Sequence, residues 1–280
     1  MRVALPTGTV DTTVIGLGPP LVFLHGGPGL DHHYFRPWLD ALADVRTLVF
    51  FDMRGCGASP SPTNSSLGVV EWAGDVLHLM NALGYESADL IGHSFGACVA
   101  MQAAATTPER IPRLLLVAPP GSANDGERLA HVLARGTPEQ IACYLAPGFP
   151  ESDHELAQRW NCMLSLYFAH QQAHDVAQRL HRERLSVSAF RDGLASLQST
   201  QFRKSVSTLR SRVLLCSGRE DWLSRPEAGL AWRAQLPQAE TFVFERSGHF
   251  PFIEETSLFI EVARSFLNDH GSAQQRKPSS

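Results

Sequence analysis

The sequence has little that would tie it to nucleic acid, a membrane or a metal. Its 24 Lys and Arg stand against 28 Asp and Glu, a formal charge of −4, so no basic footprint exists for a polyanion or an anionic lipid surface. No apolar stretch approaches the roughly 18 residues that a membrane span needs. Residues 1–16 are interrupted by Pro6, Gly8 and Asp11 and lack the apolar core of a signal peptide. There are five cysteines, at 56, 98, 143, 162 and 216, without CxxC or Cys/His spacing. They read as free, mostly packed thiols in a reducing compartment, and the expected address is cytoplasmic. The phosphate-cradling patterns are missing as well. No G-K-[ST] follows the glycines at 26–29, and "IGLGPP" at 15–20 lacks the third glycine of a dinucleotide fingerprint. The expectation is a protein with no metal, no cofactor and a small-molecule substrate.

What the chain does contain is regular alternation. Short apolar runs at 21–26, 47–52, 88–93, 113–118, 212–218 and 240–245 suit strands buried on both faces, as in a parallel sheet. Helical spacing at 32–43, 69–83, 95–106, 226–235 and 256–268 falls between and after them, which predicts an α/β sheet. The opening "MRVALPTG" and "DTTVIGLG" alternate apolar and polar residues and predict an antiparallel start at one edge. The alternation lapses between Pro119 and Leu209, where only helices are expected. Thr137 with Gln140, and Ser152 with Glu155, have capping-box spacing. Leu156, Trp160, Met163, Leu164 and Tyr167 form one helical stripe, for which plain packing is the simplest account. A helical insertion of this kind commonly covers the carboxyl ends of the strands, where ligands bind. The predicted division is a core of 1–118 and 210–270, a helical cap of 119–209, and a disordered polar tail of 271–280.

The chemistry concentrates at "DLIGHSFGACVAMQ", residues 89–102. Gly92-His93-Ser94-Phe95-Gly96 is G-x-S-x-G between a strand and an amphipathic helix, the context of a nucleophile elbow. The plain alternative is that Ser94 merely caps the helix. A serine hydroxyl needs a base to take its proton. The chain holds twelve histidines, so position must select among them, and His249 stands just past the last apolar strand. The base needs a carboxylate, and "GREDW" at 218–222 offers Asp221 in the loop after the preceding strand, with Glu220 as rival. The loop after 113–118 contains no acid at the corresponding place. Ser, Asp, His is the chain order expected on such a sheet. The glycines of "HGGPG" at 25–29 end another strand. The Gly27 and Phe95 N–H groups are therefore the candidate oxyanion donors. Trp160 and Leu164 of the stripe, with Trp222 and Phe250 beside Asp221 and His249, are the candidate pocket residues.

With those residues in hand, the chain resembles the α/β-hydrolase superfamily, and within it the proline iminopeptidase-like group. "HGGPG", "DMRGCGAS" at 52–59, "GHSFG", "GRED" and "GH" at 248–249 occur in the family's order. The resemblance implies an α/β-hydrolase fold with a mostly parallel eight-stranded sheet and a helical cap. It implies a structural, ion-paired turn for Asp52, Arg54, Gly55 and Gly57. A serine at 94 separates the chain from the related enzymes that use an aspartate nucleophile. Iminopeptidases hold the substrate amine with acids, one commonly directly after the triad aspartate. Here that position is Trp222, which leaves Glu151, Asp153, Glu155 and Glu183 without an assigned role. The expected activity is therefore acyl hydrolysis of a small to medium ester, lactone or amide. A true iminopeptidase is the alternative, and an acyltransferase or ligand receptor on the same fold a more distant one.

Overall fold

The computed structural model describes residues 1–62, 67–121, 125–169, 180, 182, 185–197, 206 and 208–268. Eight strands, β1 (Arg2–Leu5), β2 (Gly8–Ile15), β3 (Pro20–Leu24), β4 (Thr47–Phe51), β5 (Asp89–His93), β6 (Arg113–Val117), β7 (Arg212–Gly218) and β8 (Glu240–Phe244), form one sheet. Its order is β1-β2-β4-β3-β5-β6-β7-β8. β1 and β2 are antiparallel, β2 joins β4 antiparallel, and every later pairing is parallel. The helices, in chain order, are α1 (Val69–Ala82), α2 (Phe95–Thr106), α3 (Asp125–Arg135), α4 (Pro138–Leu145), α5 (Asp153–Met163), α6 (Val187–Ser196), α7 (Pro226–Gln235), α8 (Pro251–Glu254) and α9 (Thr256–Asn268). No described helix is long and apolar enough to cross a membrane.

The central strands are apolar on both faces because both faces are covered. Along β3, Val22 and Leu24 join the layer of Trp72, Val76 and Met101 from α1 and α2. Leu21 and Phe23 join the opposite layer with Phe259 and Phe266 of α9. The parallel register pairs Leu24 with Gly92, His93 with Val117 and Gly218 with Phe244. The strand ends from which the HGGPG, GHSFG, GRED and GH segments leave therefore lie along one edge of the sheet.

The predicted helix over 32–43 is not continuous. Two 3-10 turns, His32–Phe35 and Asp40–Asp44, flank Pro37, which has no N–H to donate and so interrupts the ladder. In α4 both halves of the Thr137–Gln140 capping box are present. In α5 only the Ser152 half forms. Glu155 instead accepts from the Glu151 N–H and pairs with Arg159 one turn on. All described elements between β6 and β7 are helical, α3 to α6 with a 3-10 turn at Leu164–Tyr167. The tail 271–280 lies outside the described residues.

Candidate active site

Ser94 joins β5 to α2 with φ 52° and ψ −122°, a left-handed conformation that a serine adopts only under constraint. The constraint is the close passage of α2 over the sheet. A Cβ on Gly92 would stand 2.6 Å from the Cα of Ala97. A Cβ on Gly96 would overlap the Leu24 carbonyl oxygen and lie 2.6 Å from that of His25. Both neighbours are backbone and cannot step aside. Gly96→Ala is expected to cost about 3 kcal/mol, near the upper end for overpacking. At this chain length that is roughly 6–12 °C of Tm. Gly74→Ala in α1, where the added methyl meets nothing within 4 Å, should instead stabilise by about 0.5–1 kcal/mol. Thermal melts of the two variants check the contrast.

The Ser94 hydroxyl makes no cap bond to α2, and the Ser94 N–H donates to the Val117 carbonyl at 2.8 Å. His249 stands in the loop after β8 with both backbone groups held. Its N–H donates to the Tyr167 carbonyl at 2.7 Å, and its own carbonyl accepts from the His93 ring at 2.9 Å. Its ring Nδ1 lies 2.7 Å from Asp221 Oδ2. The other Asp221 oxygen accepts the N–H groups of Leu223 and Ser224 at 2.9 and 3.0 Å. Asp221 and His249 are almost wholly buried. The Glu220 carboxylate is half exposed and lies 3.5 Å from Arg135. Ser94 and His249 line the same cavity, and no hydrogen bond joins their side chains among the described residues. Such contacts often tighten only when substrate is bound.

The HGGPG loop is held from beneath. The Met53 N–H donates to His25 Nε2, so the ring proton is on Nδ1, which donates to the Gly26 carbonyl at 2.9 Å. That carbonyl shares a peptide plane with the Gly27 N–H and fixes its direction. Among the described residues neither the Gly27 nor the Phe95 N–H is spent on a hydrogen bond. Two unspent amides beside the α2 N-terminus can receive a developing negative charge.

The cavity holds about 350 Å³. Trp160, Trp222 and Phe250 line it with Leu156, Met163 and Tyr167. Leu164 does not. α5 ends at Met163, the chain tightens into the 3-10 turn, and Leu164 turns into the core, wholly buried. Of the charged residues, only Arg159 is among the described lining, and it is held by Glu155 at 2.7 Å and the Gly148 carbonyl at 2.9 Å. The acids left open by the sequence are occupied elsewhere. Asp153 accepts from the Val187 N–H and Glu155 from Glu151 and Arg159, while Glu151 is exposed. Glu183 lies outside the described residues.

Asp52 and Arg54 each have their own partner. Asp52 accepts from the ring and N–H of His32 and from the Ala58 N–H. Arg54 pairs with Asp75 at 2.6 Å. His32, His33 and Asp52 bring possible metal-ligand atoms within 4.8 Å. The Asp52 oxygens are already engaged by these donors and His33 is exposed, so the trio is built as a turn. One contributor has no local signal in the sequence. Glu254 of α8 accepts the N–H of Gly248, beside His249, and of Ala169, both at 2.7 Å. Burial pushes its carboxyl up to about 7 despite these donors.

Comparison with known proteins agrees with this architecture. The family model for the alpha/beta hydrolase fold matches residues 19–256. A proline iminopeptidase of Clostridium botulinum is 27% identical over 263 residues, covering 89% of each chain. A 2-hydroxymuconate semialdehyde hydrolase of a Pseudomonas species is 26% identical over 289 residues, covering 92% of this chain and 90% of that protein. Among solved structures, an enol-lactonase from Burkholderia xenovorans superposes with TM-score 0.77 at 20% identity, covering 96% of this chain and all of the other (100%). An esterase from Exiguobacterium antarcticum has TM-score 0.77 at 19% identity, covering 96% and 99%. These structural likenesses establish the fold, and the family match covers most of the chain: the protein is a hydrolase belonging to the alpha/beta hydrolase fold family.

Proposed function

We propose that the protein is a serine hydrolase that cleaves a small to medium ester, lactone or amide with an apolar acyl part, without needing a free substrate amine. Ser94 attacks the carbonyl and His249 takes its proton. Asp221 holds the His249 Nδ1–H and stabilises the imidazolium, and the Gly27 and Phe95 amides receive the oxyanion. His249 then returns the proton to the leaving group, and water on the same path releases the acyl group from Ser94. Residues 119–209 act as a cap over a core of 1–118 and 210–270. Trp160, Trp222 and Phe250 contact the acyl part. The five unpaired cysteines support a reducing, cytoplasmic setting.

The observation that carries the substrate reading is the character of the cavity wall. Among the described residues it holds no carboxylate side chain. An ammonium entering it would be buried unpaired, at a cost of several kcal/mol. The face of Trp222 offers a cation about 0.5–2 kcal/mol, which does not replace an ion pair. The names of the sequence relatives favour the second reading, a proline iminopeptidase. The test compares proline anilide, its N-acetylated form and a simple ester of similar size. The ester should exceed the free-amine anilide by at least about 100-fold in kcat/KM, and N-acetylation should not lower the anilide rate. A preference for the free amine, lost on neutralising Glu151, Glu155 or Glu183, would restore the iminopeptidase.

A further inference from the structure

A chain of buried hydrogen bonds crosses the site beneath Ser94. Its polarity can be deduced from one end. His93 Nε2 lies 2.9 Å from the His249 carbonyl oxygen, which can only accept, so Nε2 carries the ring proton. Burial keeps the ring neutral, so Nδ1 is a lone pair and the Tyr34 hydroxyl, 2.8 Å away, donates to it. The Tyr34 oxygen in turn accepts the Gly26 N–H at 2.5 Å. Every bond in the series has one allowed direction. Tyr34 and His93 are at most 3% exposed, and His93 borders the same cavity as Ser94 and His249. The rings also pack, with Tyr34 edge-on to His93 at 5.4 Å and His93 lying 4.8 Å from the His249 ring.

The two ends of the series matter to the reaction. Gly26 precedes the Gly27 amide, and its own carbonyl is pinned by His25. His249 is the base, and its N–H is pinned by Tyr167. The series supplies the second anchor to each segment. Burial, then the nearby His249, pushes the His93 pKa well below that of an ordinary histidine, so this ring stays neutral. A neutral neighbour neither repels the His249 imidazolium nor competes for its proton.

Building on the triad reading above, we propose that Tyr34 and His93 are positioning residues, a strut that holds the Gly27 amide and the His249 imidazole at a fixed separation across Ser94. Neither touches the reacting atoms. The strut acts on the transition state, where both ends carry charge, more than on bound substrate.

Tyr34→Phe removes one oxygen, keeps the ring packing, and strands the Gly26 N–H and His93 Nδ1. With a p-nitrophenyl ester, kcat is expected to fall about 10–100-fold with KM changed by less than about 2-fold. Inhibition by benzeneboronic acid, which forms a tetrahedral adduct with an active serine, should weaken by the same factor. His93→Phe keeps a ring in the same packing but offers neither a donor for the His249 carbonyl nor an acceptor for Tyr34, and should lose a similar factor. The double variant should lose little more than the worse single, because one series is broken twice. Wild-type kcat in Tyr34→Phe, a rise in KM alone, or additive losses would overturn the strut. Fluorophosphonate labelling of the wild type separates the two readings. Modification away from Ser94 removes the triad and the strut together. Labelling at Ser94 with an unimpaired Tyr34→Phe removes the strut alone.

Discussion

Ser94→Ala is expected to lower kcat by about 10⁶-fold, the loss typical of removing the nucleophile from a working triad, while the protein folds as before. Both halves follow from the geometry. The hydroxyl caps nothing in α2, so deleting it strands no donor or acceptor, and alanine tolerates φ 52° no worse than serine does. Stability should stay within about 0.5 kcal/mol of wild type. A serine that served as an N-cap would behave in the opposite way, costing about 1 kcal/mol and leaving activity alone. Esterase kinetics with a thermal melt on the same sample distinguish the two. Near-normal turnover, or fluorophosphonate on another residue, would remove Ser94 from the mechanism.

What was legible in the sequence is what neighbouring residues encode. The apolar runs at 47–52, 113–118 and 212–218 end within one residue of β4, β6 and β7, because double-sided burial leaves a continuous signal in a few adjacent positions. The N-caps Thr137 and Ser152 were readable at three-residue spacing, but the reciprocal bond forms only at Gln140, because Glu155 is taken by the Glu151 N–H and Arg159. The failures were also local in origin. Apolar spacing over 32–43 suggested a helix although Pro37 interrupts it, and Leu164 continued the helical stripe on paper past the residue where α5 ends. Long-range partners left no trace. Tyr34 and His93 are 59 residues apart, Glu254 reaches back 85 residues to Ala169, and Arg54 pairs with Asp75 rather than within its own turn. Gly193 of α6 reads as an ordinary helix weakener. A Cβ there would overlap the ring of Pro28 in the HGGPG loop, so α6 lies directly against the loop that carries Gly27. These contacts depend on how the sheet brings distant loops to one edge, which no window of sequence contains.

Asp221→Asn is expected to lower kcat by about 10⁴-fold, the loss known for such a change in a serine-protease triad, and the structure supplies a reason specific to this loop. Oδ1 of Asp221 accepts two backbone N–H groups, from Leu223 and Ser224. An asparagine must keep its oxygen there, since an amide NH₂ facing two donors would be repelled. Its nitrogen is therefore forced into the Oδ2 position, 2.7 Å from His249 Nδ1 in the present structure, where it donates to the ring. The ring proton moves to Nε2, and the nitrogen available to Ser94 then has no lone pair to accept a proton. The fold should survive, because both loop hydrogen bonds persist. Raising the pH should restore part of the rate, as hydroxide takes over from the disabled base. Glu220→Gln alters a half-exposed carboxylate whose nearest cation is Arg135 at 3.5 Å, and should change kcat by less than about 2-fold, as an exposed pair contributes little. Side-by-side kinetics of the two variants decide the assignment: a large loss in Glu220→Gln with a mild one in Asp221→Asn would transfer the role to Glu220.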